Sequence, residues 1–197
     1  MTRCIDFWFS LGSTYTYLSV MRCSEVCSRN DLGMRWRPFQ LKSILEELSG
    51  LPFKEGSPKT AYMWHDLARK SSKLGLEPNL PAPYPNMQAH LGNRIARIGL
   101  DHGWGVDFIQ SYYRKWFETE HSGMEESDLV ECLDDIGQDA ASVMEIAKDP
   151  ETVARLDAET DEARRLGIFG APTFVVGEEL FWGDDRLEDA IEFCTTR

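Results

Sequence analysis

The sequence predicts an α/β fold that carries a large all-α insertion, and three observations about the order of its elements support this. Residues 4–9 alternate in polarity and are rich in β-forming residues, which indicates a strand. Helical spacing of apolar residues over 14–28 and a second short strand over 32–38 follow, so a crossover helix joins two parallel strands. After a long helical stretch, residues 150–197 return to helix, hairpin and helix. This order is that of a thioredoxin-like fold with a helical insertion.

Turn residues divide the insertion and the closing segment into separate elements. Glycine, proline, aspartate and serine interrupt the helical periodicity of the middle of the chain, and a proline-rich stretch covers 78–85. The predicted helices of the middle are 39–49, 61–74, 87–100, 106–118, 127–135 and 140–147. The predicted elements of the closing segment are a helix at 150–166, strands at 172–176 and 179–182, and a helix at 186–193. We therefore expect residues 1–50 and 150–197 to form a thioredoxin-like domain and residues 51–149 to form a helical insertion domain.

Charge and hydropathy exclude two classes of partner. The formal net charge of −12 argues against a nucleic-acid surface, because phosphate binding needs clustered lysine and arginine. No stretch approaches the ~18 consecutive apolar residues of a membrane span, and the N-terminus has no apolar targeting segment. We therefore expect a cytoplasmic protein that binds neither nucleic acid nor a membrane.

The five cysteines lack the spacing of a redox or metal site. They are Cys4, Cys23, Cys27, Cys132 and Cys194. No two of them form a Cys-x-x-Cys motif, and no Cys/His group has the spacing of zinc ligands. The sequence therefore predicts free thiols in a reducing compartment and no metal site, with Cys23 and Cys27 packed as small apolar residues of one helix face.

Ser13 lies at the junction between the first strand and the first helix. The N-terminus of a helix stabilises an anion, and in thioredoxin-like redox enzymes that anion is a cysteine thiolate of the same chain. Here Ser13 and Thr16 occupy the two cysteine positions, so a disulfide is impossible and the simplest inference is a thiol that arrives with a cofactor. The alternative is that Ser13 or Thr14 is only the N-cap of the helix.

Three further positions carry chemistry. Pro172 precedes an apolar strand. In this fold it would be cis and face the first helix, which leaves the Ala171 N–H and C=O free for an extended ligand. The alternative is an ordinary proline at the start of a strand. Asp184 and Asp185 precede the last helix, where they suit either capping or the binding of a ligand ammonium group. Lys59 is a lone base on a loop, and a solvated surface lysine is its simplest interpretation.

Two regions at opposite ends of the chain together resemble one enzyme family. The first consists of DFWF at 6–9 and STYTYL at 13–18, and the second of FGAPTF at 169–174 and FWGDDRL at 181–187. They closely resemble the 2-hydroxychromene-2-carboxylate isomerases, which belong with the kappa-class glutathione transferases and the DsbA-like proteins. The resemblance extends from end to end of the chain, including the all-α insertion. It implies a DsbA-like thioredoxin fold with a glutathione site.

The resemblance also implies the roles of individual residues. Ser13 matches the family's catalytic serine, whose hydroxyl hydrogen-bonds the glutathione sulfur and favours the thiolate over the thiol. The implied cofactor-binding residues are Ala171 and Pro172 at the cysteinyl part, Asp184 and Asp185 at the γ-glutamyl end, and Lys59 at the glycyl carboxylate. Trp182 and Tyr15 are expected to wall the pocket.

The sequence departs from the family pattern at two places. Thr14 stands where family members commonly have proline, which changes the first helical residue and leaves Ser13 in register. Residues 51–52, Leu-Pro, occupy the loop where relatives offer an asparagine to glutathione. The loop that ends at Asn86 is a candidate source of a substitute polar group.

The resemblance implies that the chain is a glutathione-dependent isomerase with the following reaction. The thiolate of glutathione adds reversibly to a conjugated carbon of a small aromatic substrate, the former double bond rotates, and elimination regenerates the thiol. A kappa-class-like glutathione transferase shares the site and is an alternative, and a non-catalytic thioredoxin-fold binding protein is another. Ser13 and Thr16 argue against a dithiol oxidoreductase because neither supplies sulfur. The resemblance further implies a homodimer.

Overall fold

A four-stranded mixed sheet forms the centre of the protein. The computed structural model describes residues 3–48, 50, 53–54, 56–119 and 124–196. The strands are β1 (Cys4–Phe9), β2 (Gly33–Pro38), β3 (Thr173–Val176) and β4 (Glu179–Trp182), in the order β2-β1-β3-β4. β1 is parallel to β2 and antiparallel to β3, and β3 is antiparallel to β4. This is the α/β thioredoxin-like plan that the sequence predicts.

Helices connect β1 to β2, separate the two halves of the sheet and follow the second half. The helices are α1 (Thr16–Val20), α2 (Cys23–Arg29), α3 (Leu41–Leu48), α4 (Pro58–Lys73), α5 (Ala89–His102), α6 (Gly105–Glu118), α7 (Glu126–Asp135), α8 (Ala140–Lys148), α9 (Pro150–Arg165) and α10 (Leu187–Thr196). A 3₁₀ turn over Asp184–Arg186 leads into α10. The stretch between β2 and β3 contains no strand among its described residues, in agreement with the predicted all-α insertion. The division into two domains at residues 50 and 150 stays a prediction.

The single helix predicted over 14–28 is wrong in two respects. The chain forms two helices, because Arg22 leaves the helical region with a φ of −130°. The guanidinium of Arg22 binds the Glu188 carboxylate and the backbone oxygen of Asp184, and thereby ties this break to the start of α10. The helix also begins later than expected, with Tyr15 as the N-cap and no side-chain cap. Neither Ser13 nor Thr14 caps it.

Helix α4 begins three residues earlier than its apolar periodicity predicts. The Ser57 side chain accepts a hydrogen bond from the Thr60 N–H, and Pro58 occupies the first turn, where its missing N–H costs nothing. As a result Lys59 lies in the first turn of a helix and not, as the sequence suggested, on a loop.

Both faces of β1 are buried, which fixes the position of the loop that follows it. On one face the Phe7 ring stacks on Phe174 with centroids 5.1 Å apart and meets the edge of Trp36. On the other face the buried Trp8 packs with Phe39. Burial of aromatic side chains of this size contributes several kcal/mol in total. Packing on both faces therefore fixes the end of β1 and the starting point of the loop that follows it.

None of the helices in the described part of the chain combines the length and the apolar character that crossing a bilayer requires.

Candidate active site

A cavity of about 1080 Å³ opens beyond the end of β1. Its walls come from the loop after β1, from α3, α4 and α9, from the loop before α5, and from the segments on either side of the β3–β4 hairpin. All six site residues predicted from the sequence line this cavity: Ser13, Lys59, Ala171, Pro172, Asp184 and Asp185. Residues separated by up to 172 positions in the sequence therefore share one space.

Ser13 and Ala171 are in direct contact. The Ser13 Oγ donates a hydrogen bond of 2.7 Å to the Ala171 carbonyl oxygen, and the Ala171–Pro172 peptide bond is cis, as predicted. The expectation that both backbone groups of Ala171 are free is thus wrong for the carbonyl, because the serine hydroxyl occupies it. The Ala171 N–H has no partner within the ranges that the structure describes. The single proton of the Ser13 hydroxyl is committed to a backbone oxygen inside the cavity.

Tyr113 of α6 is hydrogen-bonded to the backbone of the loop after β1. Its hydroxyl lies 3.0 Å from the Ser10 carbonyl oxygen and 3.1 Å from the Ser13 carbonyl oxygen, so one proton is shared between two acceptors. Tyr113 is fully buried, and burial raises the pKa of its hydroxyl well above the usual value. It therefore stays protonated and keeps its donor role.

Asn93 of α5 connects the same loop to the segment after β2. Its Oδ1 accepts from the Leu11 N–H at 2.9 Å, and its Nδ2 lies 3.1 Å from both the Ser10 Oγ and the Phe39 carbonyl oxygen and 3.3 Å from the Gln40 Oε1. The amide is fully buried, so these contacts replace all of its hydrogen bonds to water. Sequence reasoning missed Asn93. The available signal was its place within the apolar stripe of an amphipathic helix, where a polar residue needs a partner.

Lys70 of α4 is the main charged residue of the cavity that the sequence did not reveal. Its Nζ lies 3.0 Å from the Asp184 Oδ1 and 3.6 Å from the Asp185 Oδ2. It also lies 5.7 Å from the centroid of the Tyr15 ring. The Asp184 side chain is only 8% exposed, whereas that of Asp185 is 58% exposed. The predicted aspartate pair is therefore one buried, lysine-paired carboxylate and one open carboxylate.

Burial and pairing act against each other in this cluster. Burial raises the pKa of the Asp184 carboxyl, although Lys70 acts in the opposite direction. Burial lowers the pKa of Lys70, but the hydrogen bond and the charges of Asp184 and Asp185 outweigh it, so that the pKa of Lys70 is raised. Lys70 therefore carries its positive charge throughout the neutral range.

Tyr15 lines the cavity, as expected for a wall residue, and is fixed by a polar contact. Its hydroxyl donates to the Asp66 Oδ2 at 3.1 Å, and Asp66 also pairs with Arg69. Burial, together with Asp66, raises the pKa of the Tyr15 hydroxyl. The ring is thus held as a neutral wall beside Lys70.

An aromatic pair forms another part of the cavity wall. The rings of Phe169 and Trp182 meet edge to face with centroids 4.8 Å apart, and both side chains line the cavity while remaining about half exposed. Leu48 and Met87, 61% and 73% exposed, also line it. The cavity therefore presents large apolar and aromatic surfaces to solvent, which suits the binding of an apolar or aromatic ligand.

Lys59 also lines the cavity. It is exposed, its Nζ lies 5.4 Å from the Phe53 ring centroid, and it has no ion pair among the described residues. Residues 51–52, which replace the family asparagine, lie outside the described residues. Asn86, the suggested substitute, does line the cavity, and its Oδ1 accepts from the Gln88 N–H at 3.1 Å.

His90 is an exposed histidine that also lines the cavity. Burial and the neighbouring Arg94 lower its pKa, so the imidazole is neutral near pH 7. The described residues contain no group of three or more His, Cys, Asp or Glu side chains able to hold a metal ion.

Gly183 sets the position of the aspartates. Its φ is +122°, a conformation that side chains rarely adopt, and its N–H donates to the Pro172 carbonyl oxygen at 2.9 Å. A Cβ at this position would lie 2.6 Å from the Asp185 Oδ1. The glycine therefore allows the turn that leads from β4 to the two aspartates while its own N–H bonds the cis proline.

We expect Gly183→Ala to lower the free energy of unfolding by about 2–3 kcal/mol, since it combines backbone strain with displacement of Asp185. Urea denaturation measures this. Gly177→Ala is the matched control, because Gly177 also has a positive φ, of +64°, but no atom lies within 4 Å of its added Cβ. The control should lose about 1 kcal/mol. Equal losses for the two variants would show that the contact with Asp185 has no energetic effect.

Comparisons with known proteins agree with the fold and with the family resemblance. The family model of the DSBA-like thioredoxin domain matches residues 4–192, and the chain therefore belongs to this family. It is 27% identical to the 2-hydroxychromene-2-carboxylate isomerase of Sphingobium xenophagum over 190 residues, which cover 95% of this chain and 96% of that protein. It is 23% identical to the enzyme of the same name from Pseudomonas putida over 185 residues, 93% of this chain and 90% of that one.

Two solved structures show the same fold. A 2-hydroxychromene-2-carboxylate isomerase superimposes with a TM-score of 0.86 at 20% identity, covering 98% of this chain and 95% of that one. The cytosolic disulfide reductase DsbM from Pseudomonas aeruginosa, solved with GSH, superimposes with a TM-score of 0.67 at 16% identity and 98% coverage of both chains. The predicted resemblance to the isomerase family is thus confirmed.

Proposed function

We propose that the chain is a glutathione-dependent isomerase of the 2-hydroxychromene-2-carboxylate isomerase type, acting on a small conjugated aromatic substrate. The observation that carries this proposal is the contact of the Ser13 hydroxyl with Ala171, next to a cis proline, in a cavity that also holds the three charged residues predicted from the sequence. The names of the curated relatives support the reaction class.

The groups present in the cavity fit glutathione. This tripeptide carries two carboxylates, one ammonium group and one thiol. Among the residues that the structure describes, neither the Lys59 ammonium nor the Ala171 N–H has a polar partner, so they can meet the glycyl carboxylate and the cysteinyl carbonyl. Asp185 is an exposed carboxylate for the ammonium. Glutathione, when bound, would supply the thiolate nucleophile. None of the five cysteines of the chain is among the residues that line the cavity.

The role of Ser13 is to donate a hydrogen bond to the sulfur anion while keeping its own proton. In the structure this proton is donated to the Ala171 carbonyl oxygen. An extended ligand can donate its own N–H to the Ala171 carbonyl oxygen in place of the serine. The Ser13 O–H is then free to donate to a ligand atom at the same place. A hydrogen bond to a charged sulfur favours the anion and lowers the pKa of the thiol.

The aromatic wall supports an aromatic substrate. Phe169 and Trp182 offer exposed ring surface close to Ala171, and Leu48 and Met87 add apolar surface. The five free thiols support a cytoplasmic location, because disulfides persist in oxidising compartments. The homodimer stays a prediction.

Calorimetric titration with glutathione tests the proposal. We expect saturable binding, and weaker binding by about 5–10-fold in Asp185→Asn, which removes a charge from a ligand contact. Asp189→Asn is the matched control, because Asp189 pairs with Arg186 and does not line the cavity. Absence of binding to the unaltered protein at millimolar glutathione would refute the proposal.

The reaction class is tested with 2-hydroxychromene-2-carboxylate as the substrate. We expect conversion to an isomer of identical mass that depends on catalytic amounts of glutathione. Stoichiometric consumption of glutathione with accumulation of a thioether would identify a transferase instead, and no turnover despite glutathione binding would favour a binding protein.

A further inference from the structure

The position of Lys70 gives the polar end of the cavity a charge pattern that the family resemblance did not supply. The lysine lies on α4, whereas Asp184 and Asp185 follow β4, 114 and 115 residues later in the sequence. The side chain is 25% exposed and lines the cavity. Lys70 is therefore partly buried and still accessible to a ligand.

The ammonium group of Lys70 retains hydrogen-bonding capacity. It has three N–H donors. One of them meets the Asp184 Oδ1 at 3.0 Å, whereas the Asp185 Oδ2, at 3.6 Å, is beyond hydrogen-bond distance. The Tyr15 ring covers another side at 5.7 Å without accepting a full hydrogen bond. Lys70 can donate to a ligand oxygen and keep its bond to Asp184.

The other charged side chains near Lys70 have partners of their own, so three charged groups remain for a ligand. Asp66 is paired with Arg69 and with the Tyr15 hydroxyl, and Arg22 is paired with Glu188. The remaining groups are the Lys70 ammonium and the two carboxylates of Asp184 and Asp185, which together carry one net negative charge. A lysine in this place weakens the binding of a simple cation. It improves the binding of a group that carries an ammonium and a carboxylate side by side.

We propose that Lys70, Asp184 and Asp185 form a recognition site for a free α-amino-acid end, with Lys70 on the α-carboxylate and Asp185 on the α-ammonium. This inference rests on the proposed function, since the γ-glutamyl residue of glutathione has such an end. Asp184 is the positioning residue that holds Lys70. Because an ordinary α-linked peptide has no free α-carboxylate beside its terminal ammonium, Lys70 makes the site selective for γ-linked glutamyl thiols.

A comparison of two ligands and two variants tests this assignment. The ligands are glutathione and γ-aminobutyryl-cysteinylglycine, which retains the amine and lacks the α-carboxylate. We expect the unaltered protein to bind the second ligand about tenfold more weakly. Lys70→Met should bind both ligands with similar affinity, because the partner of the carboxylate is gone. Lys73→Met, at the exposed end of the same helix and outside the cavity, should keep the tenfold preference.

The outcomes separate the inference from the proposed function. If the unaltered protein binds neither ligand, the proposed function fails. If it binds both with equal affinity, the glutathione site stands and the role of Lys70 is refuted without any variant. A Lys70→Met protein that weakens both ligands by the same factor would also refute it, since Lys70 would then only support Asp184. If Lys70→Met does not fold, Lys70→Gln serves the same comparison.

Discussion

Ser13→Ala should raise the pKa of the bound glutathione thiol by about 1–2 units. The serine hydroxyl lies at the entrance to the first helix and is positioned on the Ala171 oxygen. A hydrogen bond to a charged group contributes about 1.5–3 kcal/mol, and each pKa unit corresponds to about 1.4 kcal/mol. At neutral pH the thiolate fraction, and with it the catalytic rate, should fall about 10–100-fold.

The measurement is a pH titration of thiolate absorbance in the ultraviolet with the protein saturated by glutathione. Ser72→Ala is the matched control, because Ser72 is an exposed serine of α4 that does not line the cavity. Ser13→Thr, which keeps a hydroxyl at the same position, should recover most of the thiolate. An unchanged thiol pKa in Ser13→Ala would remove Ser13 from the chemistry.

Asn93→Ala should lower the free energy of unfolding by about 3–4 kcal/mol. The substitution leaves the Leu11 N–H, the Ser10 hydroxyl and the Phe39 carbonyl buried without their partner. Each buried polar group that loses its hydrogen bond costs about 1–3 kcal/mol. The loop after β1 should loosen at the same time, which lowers affinity for glutathione because Ser13 belongs to that loop.

Urea denaturation and calorimetric titration measure the two effects. The control is Asn30→Ala, which removes an exposed asparagine whose Nδ2 makes one hydrogen bond, to the Val26 carbonyl oxygen. It should cost less than about 1 kcal/mol and leave glutathione binding unchanged. If the two variants lose the same stability, the buried network around Asn93 contributes nothing beyond an ordinary surface contact.

The elements with a strong local pattern could be predicted from the sequence. Strand β1, the β3–β4 hairpin and the proline before β3 follow from alternation, turn residues and the position of Pro172. The break at Arg22 could not, because it coincides with contacts to Glu188 and to the backbone of Asp184, more than 160 positions away. Local periodicity carries no information on such partners.

The candidate site shows the same limit. Ser13, Asp184 and Asp185 stood out because each lies next to the predicted start of a helix, where a hydroxyl or carboxylate can cap the helix or bind a ligand. Lys70 lies in the last turn of α4, as Lys73 does, and differs from it in no local sequence feature, so only the contact with Asp184 reveals it. The Ser13–Ala171 hydrogen bond was likewise invisible, since it joins residues 158 positions apart.

The hydrogen bonds of Asn93 and Tyr113 bear on whether the protein is modular. Both residues belong to helices between the two halves of the sheet, yet their partners are backbone groups of the loop that carries Ser13. A shortened chain that joins residues 50 and 150 directly would lose Asn93 and Tyr113. The backbone groups of the loop that these two residues bind would then be left without those partners. The helices are thus not a removable accessory that could be exchanged between relatives to alter substrate choice. Any segment transplanted in its place must carry an asparagine and a tyrosine at the same two positions, or the loop that carries Ser13 loses these hydrogen bonds.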